Sequence, residues 1–297
     1  LPLHLGHECV AEVLAVGERV RSVQAGDRAV VPFQISCGRC PACAAGHTGN
    51  CLGVPPVSMY GMGMVGGGWG GAFSEQMAVP FAEAMLVALP DGVDPVAAAA
   101  VADNVCDAYR HIGPHLPGLL REDSDSEVLV LGALGRRASF APSTPLYCAL
   151  IARALGARRV TFADARRHVR ELAERLGLQA ISPRELHGRP PAPLVADVSA
   201  GELGAALSAT APDGICSSSG SFHRGARVPT MRMYGRNVTL HFGRAHVRAL
   251  IPAVLELIAA RKLDPQAAIS MVLPFEDAPR ALAKHLLGGG IKAVVTA

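Results

Sequence analysis

Four of the eight cysteines fall within fifteen residues, Cys37, Cys40, Cys43 and Cys51, in the spacing C-x2-C-x2-C-x7-C. Zinc takes four soft ligands at tetrahedral corners, with Zn–S near ~2.3 Å. Two-residue gaps let the chain fold back so that successive sulfurs face one point. Gly38, Gly46 and Gly49 permit the tight turns that this needs, and Pro41 stiffens the loop. Disulfides or buried thiols are the alternatives. Disulfides suit a short secreted chain, whereas this one has 297 residues and its other cysteines are scattered. A closed four-cysteine site leaves no position for a substrate, so its expected role is structural. A second feature is the pair His7-Glu8. Imidazole is a common zinc ligand, and a neighbouring carboxylate can ligate or orient it. Taken alone, such a pair reads as solvated or structural.

The elements that would carry these residues are legible in outline. Val10, Val13 and Val16 mark a strand within Leu5–Val16 that closes at Gly17. Gly26-Asp27-Arg28 is a turn, and Ala29–Val31 reads as the next strand. Short strands with regular turns predict a small β-barrel, with the cysteine lobe as an excursion. Val57–Phe73 holds seven glycines and reads as a loop. Its Met59, Tyr60, Met62, Met64 and Trp69 either wall a substrate pocket or anchor a surface loop. Ala72–Val79 and Leu86–Pro90 read as further strands, and Asp94–Val101 as a helix capped by Asp94 with Pro95 in its first turn.

A different pattern follows. Val128–Leu131 is a continuous apolar run, as in a buried parallel strand. Helix Leu146–Leu155, strand Arg159–Asp164, helix Arg166–Leu176 and strand Pro193–Val198 come next, then helix Glu202–Ser208 and strands Gly214–Ser218 and Asn237–His241. This alternation predicts a doubly wound Rossmann sheet. The glycine fingerprint is incomplete. Gly132-Ala133-Leu134-Gly135 lacks the third glycine, and Pro145 stands where that glycine would be. Arg136 and Arg137 either bind phosphate or are solvated, and solvation is the preferred reading. Asp164 ends the second strand, where a carboxylate accepts from ribose hydroxyls and repels a 2′-phosphate. It favours NAD over NADP, with Arg166 and Arg167 as the counter-argument.

The phrase G-H-E-x-x-A-x-V-x-x-V-G over Gly6–Gly17, then G-D-R, then the cysteine lobe, resembles the zinc-dependent medium-chain alcohol dehydrogenase family. The resemblance covers nearly the whole chain, through Pro274–Leu282, which is similar to the family's closing segment. It implies an α/β fold: a GroES-like β-barrel catalytic domain (1–112 and 248–297, lobe 37–51) and a Rossmann NAD(P)-binding domain (113–247). It implies that His7 ligates a catalytic zinc with Glu8 as a second ligand or close neighbour. Matching Tyr109 to the family's Tyr puts Asp103 at the third ligand position, which Asp fills in some members; Cys106 is the runner-up. Asp103 can equally cap the following helix. Ser218, in Ser217–Gly220, resembles the turn near the nicotinamide. The family's upstream catalytic Cys, its Ser/Thr relay and often a His have no counterpart here, so the expectation is an N-terminally shortened chain.

The implied reaction is reversible hydride transfer between a small alcohol and NAD, with zinc as Lewis acid. Two rivals stand beside it: a zinc-stabilised relic without activity, and a zinc-independent NADPH reductase of enones or quinones. The net charge of +3 and the absence of a basic run argue against nucleic acid as a partner. No apolar run approaches the ~20 residues of a membrane span. Metal-bound thiolates suit the reducing cytoplasm. The family suggests a homodimer or homotetramer.

Overall fold

Strand β1 (Cys9–Glu12) pairs antiparallel with β2 (Arg28–Val31), setting Cys9 opposite Val31 and Glu12 opposite Arg28. β2 in turn pairs with the short β3 (Val87–Ala88). The computed structural model that shows this describes residues 4–135, 141–219, 226–287 and 290–297. Ala29, Val30 and Val31 are all buried, so β2 is the centre of this small sheet. The turn before it uses Gly26 at φ 92°, and the Asp27 carboxylate accepts from the Gln24 N–H at 2.9 Å. The expected strand Ala72–Val79 does not form. The Ser74 hydroxyl instead reaches the carbonyls of Gly71 (2.9 Å) and Gln76 (3.0 Å), a local turn that competes with sheet pairing.

The glycine-rich loop divides into a buried root and an exposed tip. Met59 and Tyr60 are buried, and the Tyr60 hydroxyl donates to the Ala78 carbonyl at 2.8 Å. Met64 and Val65 stand out in solvent. Beyond β3, a helical turn Pro95–Ala98 is capped by Asp94, whose carboxylate accepts from the Val96 N–H at 2.9 Å. The chain tightens into a 3-10 turn, Ala99–Ala102, and breaks at Asp103 before helix α1 (Asn104–Ile112). Val105, Cys106, Ala108 and Ile112 are buried on α1.

The second unit is a six-stranded parallel sheet. Its strands are β4 (Glu127–Leu131), β5 (Arg159–Ala163), β6 (Gln179–Ile181), β7 (Ala192–Asp197), β8 (Thr210–Ser218) and β9 (Thr239–Phe242). The spatial order is β6-β5-β4-β7-β8-β9. All five residues of β4 are buried, as its apolar run requires. Order reverses between β4 and β7, a switch point of the kind at which open parallel sheets bind ligands outside the carboxyl ends of their strands. Helices α2 (Ser143–Ala154) and α3 (Arg167–Arg175) follow β4 and β5. Pro145 sits in the first turn of α2, where its missing N–H costs nothing.

Helix α4 (Val247–Ala259) packs beside α1, and α1 packs on α2. Ile112, Leu146, Ile151, Phe162 and Ile251 meet in the core between them, each fully buried, worth about 1.5–3 kcal/mol per large side chain. Finally β10 (Met271–Pro274) and β11 (Ala293–Thr296) form a parallel pair. Among the described residues, no helix is long and apolar enough to cross a membrane.

Candidate zinc centres and cofactor crevice

The cysteine lobe converges as its spacing predicts. The four sulfurs of Cys37, Cys40, Cys43 and Cys51 all lie within 4.8 Å of one another. Tetrahedral ligation at ~2.3 Å would put them about 3.8 Å apart; Cys40 Sγ and Cys51 Sγ are 3.9 Å apart. Backbone N–H groups already point at the sulfurs. Cys40 Sγ accepts from Cys43 (3.5 Å) and Leu52 (3.3 Å), and Cys51 Sγ from Cys37 and Gly53, both at 3.3 Å. These donors favour thiolate, and the Cys40 thiol is drawn down to about 6, chiefly by the Cys43 N–H. Burial pushes Cys43 the other way, up to about 12. A divalent cation reconciles the set, since coordination removes thiol protons outright. Gly53 is required by the packing: a Cβ there would lie 2.7 Å from Cys37 Sγ. The donor set and its spacing fit zinc, and none of the eight cysteines is in a disulfide.

His7, just ahead of β1, faces Asp103, at the break before α1. His7 Nε2 and Asp103 Oδ2 are 3.2 Å apart, although the residues are 96 apart in sequence. Two ligands on one tetrahedral zinc with bonds near ~2.0–2.1 Å stand about 3.3 Å apart, so this pair fits a shared cation. Burial works to lower the His7 pKa, but the hydrogen bond and charge of Asp103, with Glu8, outweigh it and raise it. Phe33 backs the imidazole, ring centres 5.4 Å apart. His7 and Glu8 line a groove of about 2090 Å³ that opens to solvent.

Glu8 is engaged elsewhere. Its Oε1 accepts from the Asn104 N–H at 3.0 Å, and its Oε2 is ion-paired with the ammonium of Lys292. Among the described residues, only the four cysteines form a group of three or more metal-ligand side chains whose atoms all converge. Asp103 is the residue before the first turn of α1, but its carboxylate makes no capping bond to that helix; it accepts from the Asn104 side-chain amide at 2.9 Å. Cys106 is buried in the core and burial holds it well above the ordinary thiol range. Cys9 packs against Met77 and is pushed up to about 12 by burial.

The crevice at the sheet's carboxyl edge brings Gly132 and Asp164 together. A Cβ on Gly132 would lie 2.3 Å from Asp164 Oδ2, so only glycine fits. Asp164 Oδ2 also accepts from the Ala133 N–H at 3.1 Å. Gly135 is exposed at the lip. Arg166 pairs with Asp164. Ser218 ends β8, and its hydroxyl donates to Asp197 Oδ2 at 2.7 Å. Arg136, Arg137 and Gly220 lie outside the described residues.

Residues 1–91 match the model of the alcohol dehydrogenase GroES-like domain. Over 91 residues the chain is 43% identical to the glutathione-independent formaldehyde dehydrogenase of Pseudomonas aeruginosa, covering 30% of this chain and 23% of that protein. The chain thus spans about a quarter of that relative's length. A probable zinc-binding alcohol dehydrogenase of Mycobacterium tuberculosis is 26% identical, over 95% of this chain and 71% of its own length. The solved alcohol dehydrogenase TADH from Thermus sp. ATN1 superposes with a TM-score of 0.83 at 29% identity, over 98% of this chain and 84% of that one. The first 91 residues thus match an alcohol dehydrogenase GroES-like domain, and the whole chain is similar to zinc-binding alcohol dehydrogenases.

Four polar groups escaped the reading of the sequence: Asn104, Asp197, His111 and Lys292. Asn104 bonds Asp103 through Nδ2 and Glu8 through its backbone N–H, while its Oδ1 accepts from Ser143 (3.1 Å) and Lys292 (3.3 Å). Asp197 accepts from Ser199 Oγ at 2.5 Å as well as from Ser218. His111, fully buried, meets Ser217 Oγ at 2.9 Å and Ser219 Oγ at 3.0 Å, tying α1 to the end of β8. Nothing in the spacing pointed to Lys292, which is 284 residues from Glu8.

Proposed function

We propose that this chain carries the catalytic machinery of an oxidoreductase that moves a hydride between a small alcohol and a nicotinamide adenine dinucleotide. The observation that carries the reading is the convergence of His7 and Asp103 at 3.2 Å, at cation-sharing distance. His7 Nε2 and Asp103 Oδ2 would hold a catalytic zinc, with Glu8 as the companion carboxylate behind them. Zinc bound there supplies Lewis-acid polarisation of the alcohol oxygen. The chain's own residues do the rest. Lys292 and the Asn104 N–H hold Glu8 in place, and the Asn104 amide turns Asp103 toward His7. Gly132, Gly135, Asp164, Arg166 and Ser218 line the switch-point crevice that would seat the dinucleotide. The cleft between residues 1–112 with 248–297 and residues 113–247 would exclude water from the transfer.

Several further assignments belong to this reading: a cytoplasmic setting, a structural role for the lobe zinc, and a homo-oligomer. For the last, β9 ends the sheet and Met231, Tyr234 and Phe242 near it are 79%, 81% and 61% exposed. A second copy pairing at this edge would cover them.

The relic reading draws on one observation, that two ligands rather than three converge at His7. Zinc analysis with an alcohol-oxidation assay separates the two. Two zinc per chain with reduced-nicotinamide formation supports the enzyme; one zinc and no turnover supports the relic. Asp103→Ala is expected to abolish turnover and leave the lobe zinc bound, and undiminished turnover in that variant would sink the assignment.

A further inference from the structure

Asp164 directly follows β5, at the point where a Rossmann acid meets the adenosine ribose. In this chain its carboxylate is already filled. Oδ1 accepts from the Arg166 N–H at 2.8 Å and from Arg166 Nε at 2.9 Å. Oδ2 accepts from Arg166 Nη2 at 2.7 Å and from the Ala133 N–H at 3.1 Å. An ionised carboxylate offers about four lone-pair sites, and four donors from the chain itself take them. Asp164 is fully buried beneath Gly132, so a ribose hydroxyl could reach its carboxylate only if the Arg166 side chain gave way.

The charge around it also runs the wrong way for a ribose diol. Arg170 Nη1 donates to the Asp164 carbonyl at 2.6 Å, and Arg167, on the first turn of α3, pairs with Glu171 at 2.7 Å. Arg166, Arg167 and Arg170 thus cluster at the positive end of a nine-residue helix, with Asp164, Glu171 and Glu185 as the nearby carboxylates. A free carboxylate there would bond the ribose hydroxyls and repel a 2′-phosphate. A carboxylate neutralised by a two-point arginine grip does neither, and holds the guanidinium in place at that spot.

We propose that Arg166 is the specificity-determining residue of the dinucleotide crevice, and that the crevice accepts a 2′-phosphorylated dinucleotide at least as well as the unphosphorylated one. This rests on the crevice being a dinucleotide site, and it reverses the preference that Asp164 suggests in the sequence. Asp164 acts here as the anchor of Arg166.

The test is calorimetric titration of the full chain with NAD⁺, NADP⁺ and 2′,5′-ADP, which needs no turnover. The wild type is expected to bind NADP⁺ as tightly as NAD⁺ or more tightly, and to bind 2′,5′-ADP better than 5′-ADP. Arg166→Ala should lose about tenfold or more for NADP⁺ and gain several-fold for NAD⁺, because the released carboxylate then accepts from the ribose. Arg166→Gln, which keeps a polar side chain over Asp164, provides the same comparison if the alanine variant folds poorly. A wild type that prefers NAD⁺ by tenfold, or an unchanged NADP⁺ affinity in both variants, overturns the proposal. Binding of neither dinucleotide overturns the cofactor reading itself and this inference with it.

Discussion

His111 shows how a single side chain can set the pH behaviour of the whole chain. It is sealed between α1 and the end of β8, and burial, helped by the Arg110 charge, pushes its pKa down to about 3. The unfolded chain takes up that proton near the ordinary histidine value of ~6.5. Between these values the unfolded state binds more protons, so stability falls as pH falls from about 6.5 toward 3. At pH 5 the loss from this residue amounts to about 2 kcal/mol. His111→Asn removes the titration. Urea unfolding at pH 7 and pH 5 should therefore show a smaller acid loss in the variant than in the wild type; parallel losses would mean that His111 titrates normally. At this scale the sequence revealed residue types better than partners. His7 and Asp103 were legible through the resemblance. Asn104 and Lys292 were not, because a hydrogen-bonded hub joining residues 8, 104, 143 and 292 leaves no local spacing.

Among the elements, the cysteine lobe was the most legible, because ligand spacing is a short-range property. What the spacing did not show is where the lobe docks. Gln34 donates to the Ala245 carbonyl at 2.9 Å and accepts from the Val247 N–H at 3.2 Å. The Gly49 N–H reaches His246 Nδ1 at 3.2 Å, and Arg244 reaches the Gly49 carbonyl at 2.5 Å. The lobe is thereby stitched to the segment between β9 and α4. Cys43→Ser is expected to release about one zinc per chain and to cost on the order of 4 kcal/mol. Amide exchange in residues 244–247 should rise with it; exchange that stays at wild-type levels there would mean the lobe does not support α4. The parallel strands were equally legible, since β4 and β7 are buried on both faces and read as apolar runs. Ala72–Val79 misled because its pairing with Leu5–Gly6 stops after Phe73, where a serine hydroxyl closes a turn.

For the whole molecule, the open question of assembly turns on β9. It pairs on one side with β8, and Phe242 at its end is exposed. A lysine at a sheet edge discourages strand addition at little cost to the monomer. If the proposed homo-oligomer forms through this edge, Phe242→Lys should lower the sedimentation coefficient toward that of a monomer. An unchanged coefficient would place the contact elsewhere.

The ion pair between Glu8 and Lys292 joins the two ends of the described chain. Synthesis delivers these residues at opposite times, since a chain grows at about 5–20 residues per second from its N-terminus. His7 and Asp103, 96 residues apart, can meet early in translation, but Glu8 waits for Lys292, 284 residues downstream. The half-finished polypeptide therefore carries an unpaired acid beside an open groove. The brace on Glu8 is therefore a late event of synthesis, and a chain stopped before Lys292 would hold that carboxylate through the Asn104 N–H without its ammonium partner.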